Sequence, residues 1–398
     1  MKKRYLIFQG YLGDFTVLLV QAVSIYIFVN NNQNYLYASW VLVLAIVNPV
    51  IGFSSLSLDS VVATENSVSK IKDYIMFRFR TLVIFLPTVL LINFIYRTNA
   101  SPWFLLILAY FLKSFESFST VFRGTYYRNK EILKASVSKS YAKLGYLFGF
   151  GFFLNFLNSL SYAILLIIIW NVLVFILYDL IYNKNFDIFS IKSIKDTSRD
   201  FSILKEFYLL GVNSFLSLVV ISAPQILIER LLGLETLSLI GIVMLFNSAL
   251  DNFYISSNNT LRKSYLDLLE NKYQYRTFLR QLLVLFSAFL VSTIAVFYHF
   301  GDSLFSFYNQ NSESQLIITY LVLIGSFIFY MANAINFQYF IKRDIYQLFK
   351  FSLLRCSASI FLSYYFVVTL GEIGFGMVYL SSNVIYLAYT LIKTEIFK

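Results

Sequence analysis

Twelve apolar stretches, each of roughly the 20 residues a helix needs to cross a hydrocarbon core, follow one another through this 398-residue chain. They cover 5–29, 36–60, 81–98, 103–122, 141–158, 160–182, 207–230, 237–257, 282–301, 315–340, 352–370 and 374–392. A hydrophobic fraction of 58% beside 13% charged residues lies outside the range of soluble domains. Backbone polar groups in hydrocarbon must pair within their own segment, so helices are the natural solution for spans of this length. The expected fold class is an all-α integral membrane protein with about 12 transmembrane helices.

The connections between these stretches carry a directional signal. All but three of the 32 Lys and Arg residues fall on one side of the zigzag, in groups at 2–4, 70–80, 123–143, 184–205, 262–280, 342–355 and 393–398. Cytoplasmic connections retain Lys and Arg in this way, which places both termini inside a bacterial plasma membrane. The net charge of +11 follows from that orientation and from contact with anionic lipid headgroups. No basic soluble domain exists to carry nucleic-acid binding. The connections 61–80, 123–140, 183–206 and 258–281 are read as inner ones. Within the last, Leu261, Tyr265, Leu268, Leu269 and Tyr273 suggest a helical extension along the interface.

The connection at 183–206 is the most polar one between long apolar stretches, and it leaves six spans on either side. The chain therefore divides into an N-terminal lobe (1–182), a cytoplasmic linker (183–206) and a C-terminal lobe (207–398). Two halves of the same orientation suggest parallel repeats related by an axis along the membrane normal.

The three stray cations are Arg97, Lys113 and Arg230. Arg97 belongs to a short outer loop. Lys113 lies about ten residues into its span, where a lysine costs roughly 2.5–3.5 kcal/mol on insertion scales. Glu116 follows at i+3, on the same helical face and within pairing reach. The pair is either a structural ion pair that lowers its own insertion cost, or a cavity cation for an anionic group with Glu116 as resting counter-ion. Asp14 is also mid-span; it could pair with Lys113, bind a coupling proton or sodium ion, or face a watery vestibule. Glu229 and Arg230 lie at the outer end of a span just past Pro224, as interfacial anchors or substrate contacts. Asp251 is a further cavity candidate, whereas Asp59 and Asp179, near inner ends, read as solvated. Asn48-Pro49 marks an expected break in the second span.

The exclusions are equally informative. There is no phosphate-binding glycine loop, no His-Glu-x-x-His helix and no second histidine for a triad. The lone Cys356 sits in an apolar stretch, with no partner for a disulfide or a cysteine-based metal site. No cofactor is expected beyond a coupling ion, H+ or Na+.

The order of these features resembles the Wzx-type polysaccharide flippases of the multidrug/oligosaccharidyl-lipid/polysaccharide exporter (MOP) superfamily. Lys113-Ser-Phe-Glu116-Ser117, through Arg123-Gly124 to Ser136, is similar to the Lys-x-x-Glu-Ser…Gly…Ser pattern of one branch. Ala38, Asn48-Pro49, Ala63-Thr64-Glu65, Tyr74 and Arg78 form a second match, with Glu65 where members often have Asp. Pro224-Gln225-Ile226-Leu227-Ile228-Glu229, with Gly233 and Gly241, is similar to Pro-Arg-Tyr-x-Ile-Glu…Gly. Gln225 stands where that branch often has Arg.

The resemblance implies a MATE-like fold of two six-helix lobes around a central cavity that opens alternately inward and outward. The implied cargo is a polyprenyl-diphosphate-linked oligosaccharide, moved from the inner to the outer leaflet for O-antigen, capsule or exopolysaccharide assembly. A polymerase and a chain-length regulator are implied partners. Cavity candidates for that cargo are Lys113, Glu116, Asp14, Asp251, Gln225, Glu229 and Arg230. The rivals are a MATE-like drug antiporter and a membrane polysaccharide polymerase. Lys113 argues against a cavity built for cations, and the scarcity of outer Arg and His argues against the polymerase.

Overall fold

The computed structural model describes residues 2–30, 33–65, 67–96, 103–129, 131–154, 159–182, 199–268, 272–308, 313–341 and 344–394. Among them there is no strand. The helices are α1 (Lys2–Asn30), α2 (Asn34–Ser55), α3 (Leu58–Thr64), α4 (Val68–Ile84), α5 (Leu86–Tyr96), α6 (Trp103–Arg128) and α7 (Ile132–Phe148). They continue with α8 (Leu160–Val174), α9 (Asp200–Leu232), α10 (Leu234–Leu268), α11 (Lys272–Phe307), α12 (Glu313–Ile341), α13 (Ile345–Leu370) and α14 (Ile373–Lys393). Two π-helical stretches, Gly149–Leu154 and Phe175–Tyr182, extend α7 and α8.

Each of the twelve expected spans falls on one of these helices or on a helix pair. By length and composition, eight described helices can cross a membrane, and a bent pair makes nine. Phe15–Val29 and Leu234–Ser248 are shorter apolar helices. The molecule has a multi-pass membrane fold.

The connections differ more from expectation than the spans do. The stretch 61–80 is not a loop: α3 and α4 occupy most of it, and Val68–Leu82 meets Leu86–Ile92 at a 45° bend. Most of 123–140 belongs to the ends of α6 and α7, whereas 258–281, where a helical extension is expected, does lie mostly in α10 and α11. The connection between the spans 282–301 and 315–340 is helical through Phe307. Hydropathy marks where a helix enters hydrocarbon, not where its hydrogen-bond ladder ends, so charged helical extensions are read as loops. The α2 helix runs through Pro49 and ends only at Ser55, because a proline removes one ladder bond without forbidding the helix. Arg97 and most of 183–206, including Asp187, Lys192, Lys195 and Asp196, lie outside the described residues.

The chain forms two compact units, Met1–Asn31 with Leu42–Leu218 and Asn32–Val41 with Val219–Lys398. In the first, Arg78 of α4 is fully buried and ties three helices together. It donates to the Ser54 carbonyl (3.2 Å) and hydroxyl (3.0 Å), to Thr81 (3.2 Å) and to the Ser114 carbonyl (3.5 Å). Arg80 pairs with Asp200 at the start of α9. Asp179, expected to be solvated, is only 2% exposed and accepts from Tyr126 (3.0 Å) and Ser138 (2.9 Å).

In the second unit, α12, α13 and α14 pack through Ala332, Phe351 and Tyr386. Gly325 lets α12 approach α14, since a Cβ there would meet the Tyr379 ring at 2.8 Å. Small residues at crossings of this kind are how membrane helices gain packing contact.

Candidate functional site

The geometry that positions the site begins at the end of α2. Leu56 and Ser57 have φ of 49° and 51°, both in the left-handed region and neither a glycine. Such residues cost of order 1–3 kcal/mol each and persist only where their surroundings hold them. Here Leu56 is buried, the Ser55 hydroxyl accepts from the Ser57 backbone (3.4 Å), and the Ser57 and Ser214 hydroxyls are bonded at 2.7 Å. The turn redirects the chain into α3. Gly124 of α6 then admits α3 at close range, since a Cβ on it would meet the Asp59 carbonyl and Val62 at 3.0 Å.

The result is a cavity of about 320 Å³. Ser55 and Asp59 line one side, and Lys113, Glu116, Ser117 and Thr120 of α6 line the other. The α6 residues recur at three- and four-residue spacing, which puts them on one face. Asp59, expected to be a solvated inner-end charge, is partly exposed and lines this cavity.

Glu116 is the hub of the charged wall. Its Oε2 accepts from Lys113 Nζ at 2.9 Å, the i+3 contact that the spacing anticipates. Its Oε1 accepts from Lys143 Nζ at 2.5 Å and from the Tyr146 hydroxyl at 2.8 Å. Lys113 also donates to the Tyr146 oxygen at 3.5 Å. The Lys143 ammonium lies 4.4 Å from the Tyr146 ring centre, within cation–π range. Lys113 and Lys143 side chains are 20% and 19% exposed, so both charges are partly desolvated and neither is sealed. Two ammoniums share one carboxylate, leaving one formal positive charge in this cluster.

Lys143 is the residue that sequence reasoning missed. It was grouped with the basic connection at 123–143, yet it sits on α7 with its amine on Glu116. Its place three residues before Tyr146, just inside the span at 141–158, was the available signal.

The other candidates divide. Asp14 lies on α1, and its side chain is outside the described residues. Gln225 is buried, Glu229 half-buried and Arg230 exposed near the end of α9; they belong to the second unit and do not line this cavity. Asp251, also in the second unit, is held by neutral donors: Asn247 Nδ2 to Oδ2 at 2.9 Å and the Ser326 hydroxyl to Oδ1 at 3.2 Å. Ser326 is bonded in turn to Asn247 Oδ1 (2.7 Å) and the Tyr379 hydroxyl (3.0 Å). Arg355, counted among the inner-side charges, is 2% exposed. Its Nε donates to Asn383 Oδ1 at 2.6 Å, and its guanidinium lies 3.9 Å from the Phe329 ring centre.

No family model and no curated protein matches this sequence. Solved structures do match its fold. A MOP superfamily transporter from Pyrococcus furiosus, described as having a binding pocket of reversed polarity that suggests a different function, has a TM-score of 0.63 at 10% identity. The match covers 98% of this chain and 96% of that one. An outward-facing multidrug resistance MATE transporter of the MOP superfamily has a TM-score of 0.65 at 14% identity, covering 98% and 94%. A MATE in complex with MaD5 gives 0.67 at 10% identity, covering 99% and 96%. The chain therefore has the fold of the MOP superfamily of membrane transporters.

Proposed function

We propose that this protein is a flippase that carries polyprenyl-diphosphate-linked oligosaccharide units from the inner to the outer leaflet. It serves cell-surface polysaccharide assembly by alternating access. The observation that carries the reading is the sharing of Glu116 by Lys113 and Lys143 beside a cavity. Both carboxylate oxygens already accept from a cation, and Oε1 from Tyr146 as well, so an arriving phosphate meets an α6 wall on which the Glu116 charge is already engaged. Phosphate oxygens are strong acceptors for charge-assisted bonds, and such bonds gain strength out of bulk water.

In this mechanism the cargo phosphate displaces Glu116 from Lys113 on loading. The two lobe states bind the loaded group unequally, and that difference drives the exchange between them. With the basic ends of the helices in the cytoplasm, loading occurs from the inner leaflet. Polymer export in cells carrying Lys113→Ala at normal protein levels tests the role. Export falls at least tenfold if the proposal holds, and undiminished export contradicts it.

A second reading, a MATE-like antiporter of cationic small molecules, draws on Asp59, whose carboxylate also lines the cavity. Drug sensitivity of a deletion strain separates the two. The antiporter reading requires sensitisation to cationic drugs with polymer export intact.

A further inference from the structure

The phosphate-binding role proposed above uses Lys113, Lys143 and Glu116, and leaves the rest of the cavity unexplained. Asp59 and Ser117 are the residues in question. Among the described residues the Asp59 carboxylate has no hydrogen-bond or ion-pair partner, and neither has the Ser117 hydroxyl. The backbone that carries Asp59 is set by the Leu56–Ser57 turn and by the close approach of α3 to Gly124. Ser55 and Thr120 contribute two further oxygens, each already bonded to a backbone carbonyl (2.9 Å in both cases).

The size of the cavity narrows its occupant. About 320 Å³ is at the lower limit of ligand pockets, which run to about 1,000 Å³. That space suits a single ring, and a longer glycan would extend out through its open side. Its polar inventory is one cation wall, one free carboxylate and one free hydroxyl. A carboxylate is an acceptor with two oxygens and no donor, so its neutral complement is a pair of adjacent hydroxyls.

We propose that the cavity is a one-sugar subsite, in which Asp59 accepts hydrogen bonds from two neighbouring hydroxyls of the sugar joined directly to the diphosphate. Ser117 bonds a third position on the ring, and the remaining sugars of the repeat unit lie outside the cavity. Asp59 is thereby a specificity residue, and Lys113 and Lys143 are indifferent to the sugar. This assignment rests on the flippase reading and deepens it.

The test is a binding comparison on the full chain in nanodiscs. The probes are a short-chain polyprenyl diphosphate, bare or bearing one sugar: glucose, galactose or N-acetylglucosamine. The wild type is expected to bind at least one sugar-bearing probe about tenfold tighter than the bare one, the fold-change of one hydrogen bond to a charged group. Asp59→Asn and Ser117→Ala each reduce that ratio and Asp59→Glu restores part of it; the ratio is taken within each variant, so a change in bare-diphosphate affinity from the altered charge cancels. A full wild-type ratio in both Asp59→Asn and Ser117→Ala overturns the subsite, as does a wild type that gains nothing from any sugar. In both cases bare-diphosphate binding that depends on Lys113 and Lys143 leaves the flippase reading standing. Tetraphenylphosphonium binding that is lost in Asp59→Asn, with no diphosphate binding in the wild type, overturns both.

Discussion

In the first unit, Glu116 lies between two ammonium groups and a cavity of about 320 Å³. In the second, Asp251 is enclosed by Asn247 and Ser326, and Arg355 by Asn383 and the Phe329 ring. Both regions hold charge on helices of a membrane fold, where charge is costly. The first leaves its cations partly exposed and gathers them around one acid. The second sets each charge among neutral hydrogen-bond partners, with Asp251 and Arg355 near enough to stabilise each other's charge but, among the described residues, in no direct ion-pair contact. A charge held by fitted neutral partners fixes helix packing. A cation pair that shares one acid beside open space can exchange partners. Local enclosure, more than charge itself, separates a structural polar seam from a candidate binding site.

The largest effect expected from breaking this contrast is on stability in the second unit. Arg355→Ala opens a void beside the Phe329 ring, takes the donor from Asn383 Oδ1 and removes the cation that acts on buried Asp251, with an expected loss of about 3–5 kcal/mol. Thermal unfolding of the purified protein in detergent checks it. Lys143→Met, by contrast, leaves Glu116 bonded to Lys113 and Tyr146 and costs about 1 kcal/mol in the same assay. Equal losses in the two variants erase the distinction.

Glu116→Gln sharpens the contrast from the other side. It removes the shared counter-ion from two ammoniums, lowering stability by about 2 kcal/mol while strengthening anion binding by about tenfold. Isothermal titration with a polyprenyl diphosphate measures the second change, and weaker binding contradicts the counter-ion role. An effect as small as that of Lys143→Met is expected of Ser326→Ala. It leaves Asn247 on Asp251 and costs about 1 kcal/mol, with polymer export unchanged in cells.

The spans were legible because roughly twenty apolar residues in a row have few alternatives to a membrane helix. The Lys113–Glu116 contact was legible for a similar reason: an i,i+3 spacing on a helix is a local geometric fact. Lys143 was not, because its nearness to a basic connection made orientation a sufficient account of it. Arg355, a few residues into its span, is counted in the same way among the inner-side charges, which hides its burial. Asp59 depends on the Leu56–Ser57 turn and on Gly124, features that span periodicity does not encode. The Asn48-Pro49 expectation erred for a different physical reason: the proline was accommodated, and the helix ended at the turn seven residues later.

The central claim is that Lys113 and Lys143 together hold the phosphate of an anionic lipid-linked cargo. Binding of bare polyprenyl diphosphate to the full chain in nanodiscs, wild type against the Lys113→Ala/Lys143→Ala double variant, tests it most directly. The predicted result is a loss of about a hundredfold, two charge-assisted contacts at about tenfold each. Undiminished affinity in a folded double variant contradicts the account.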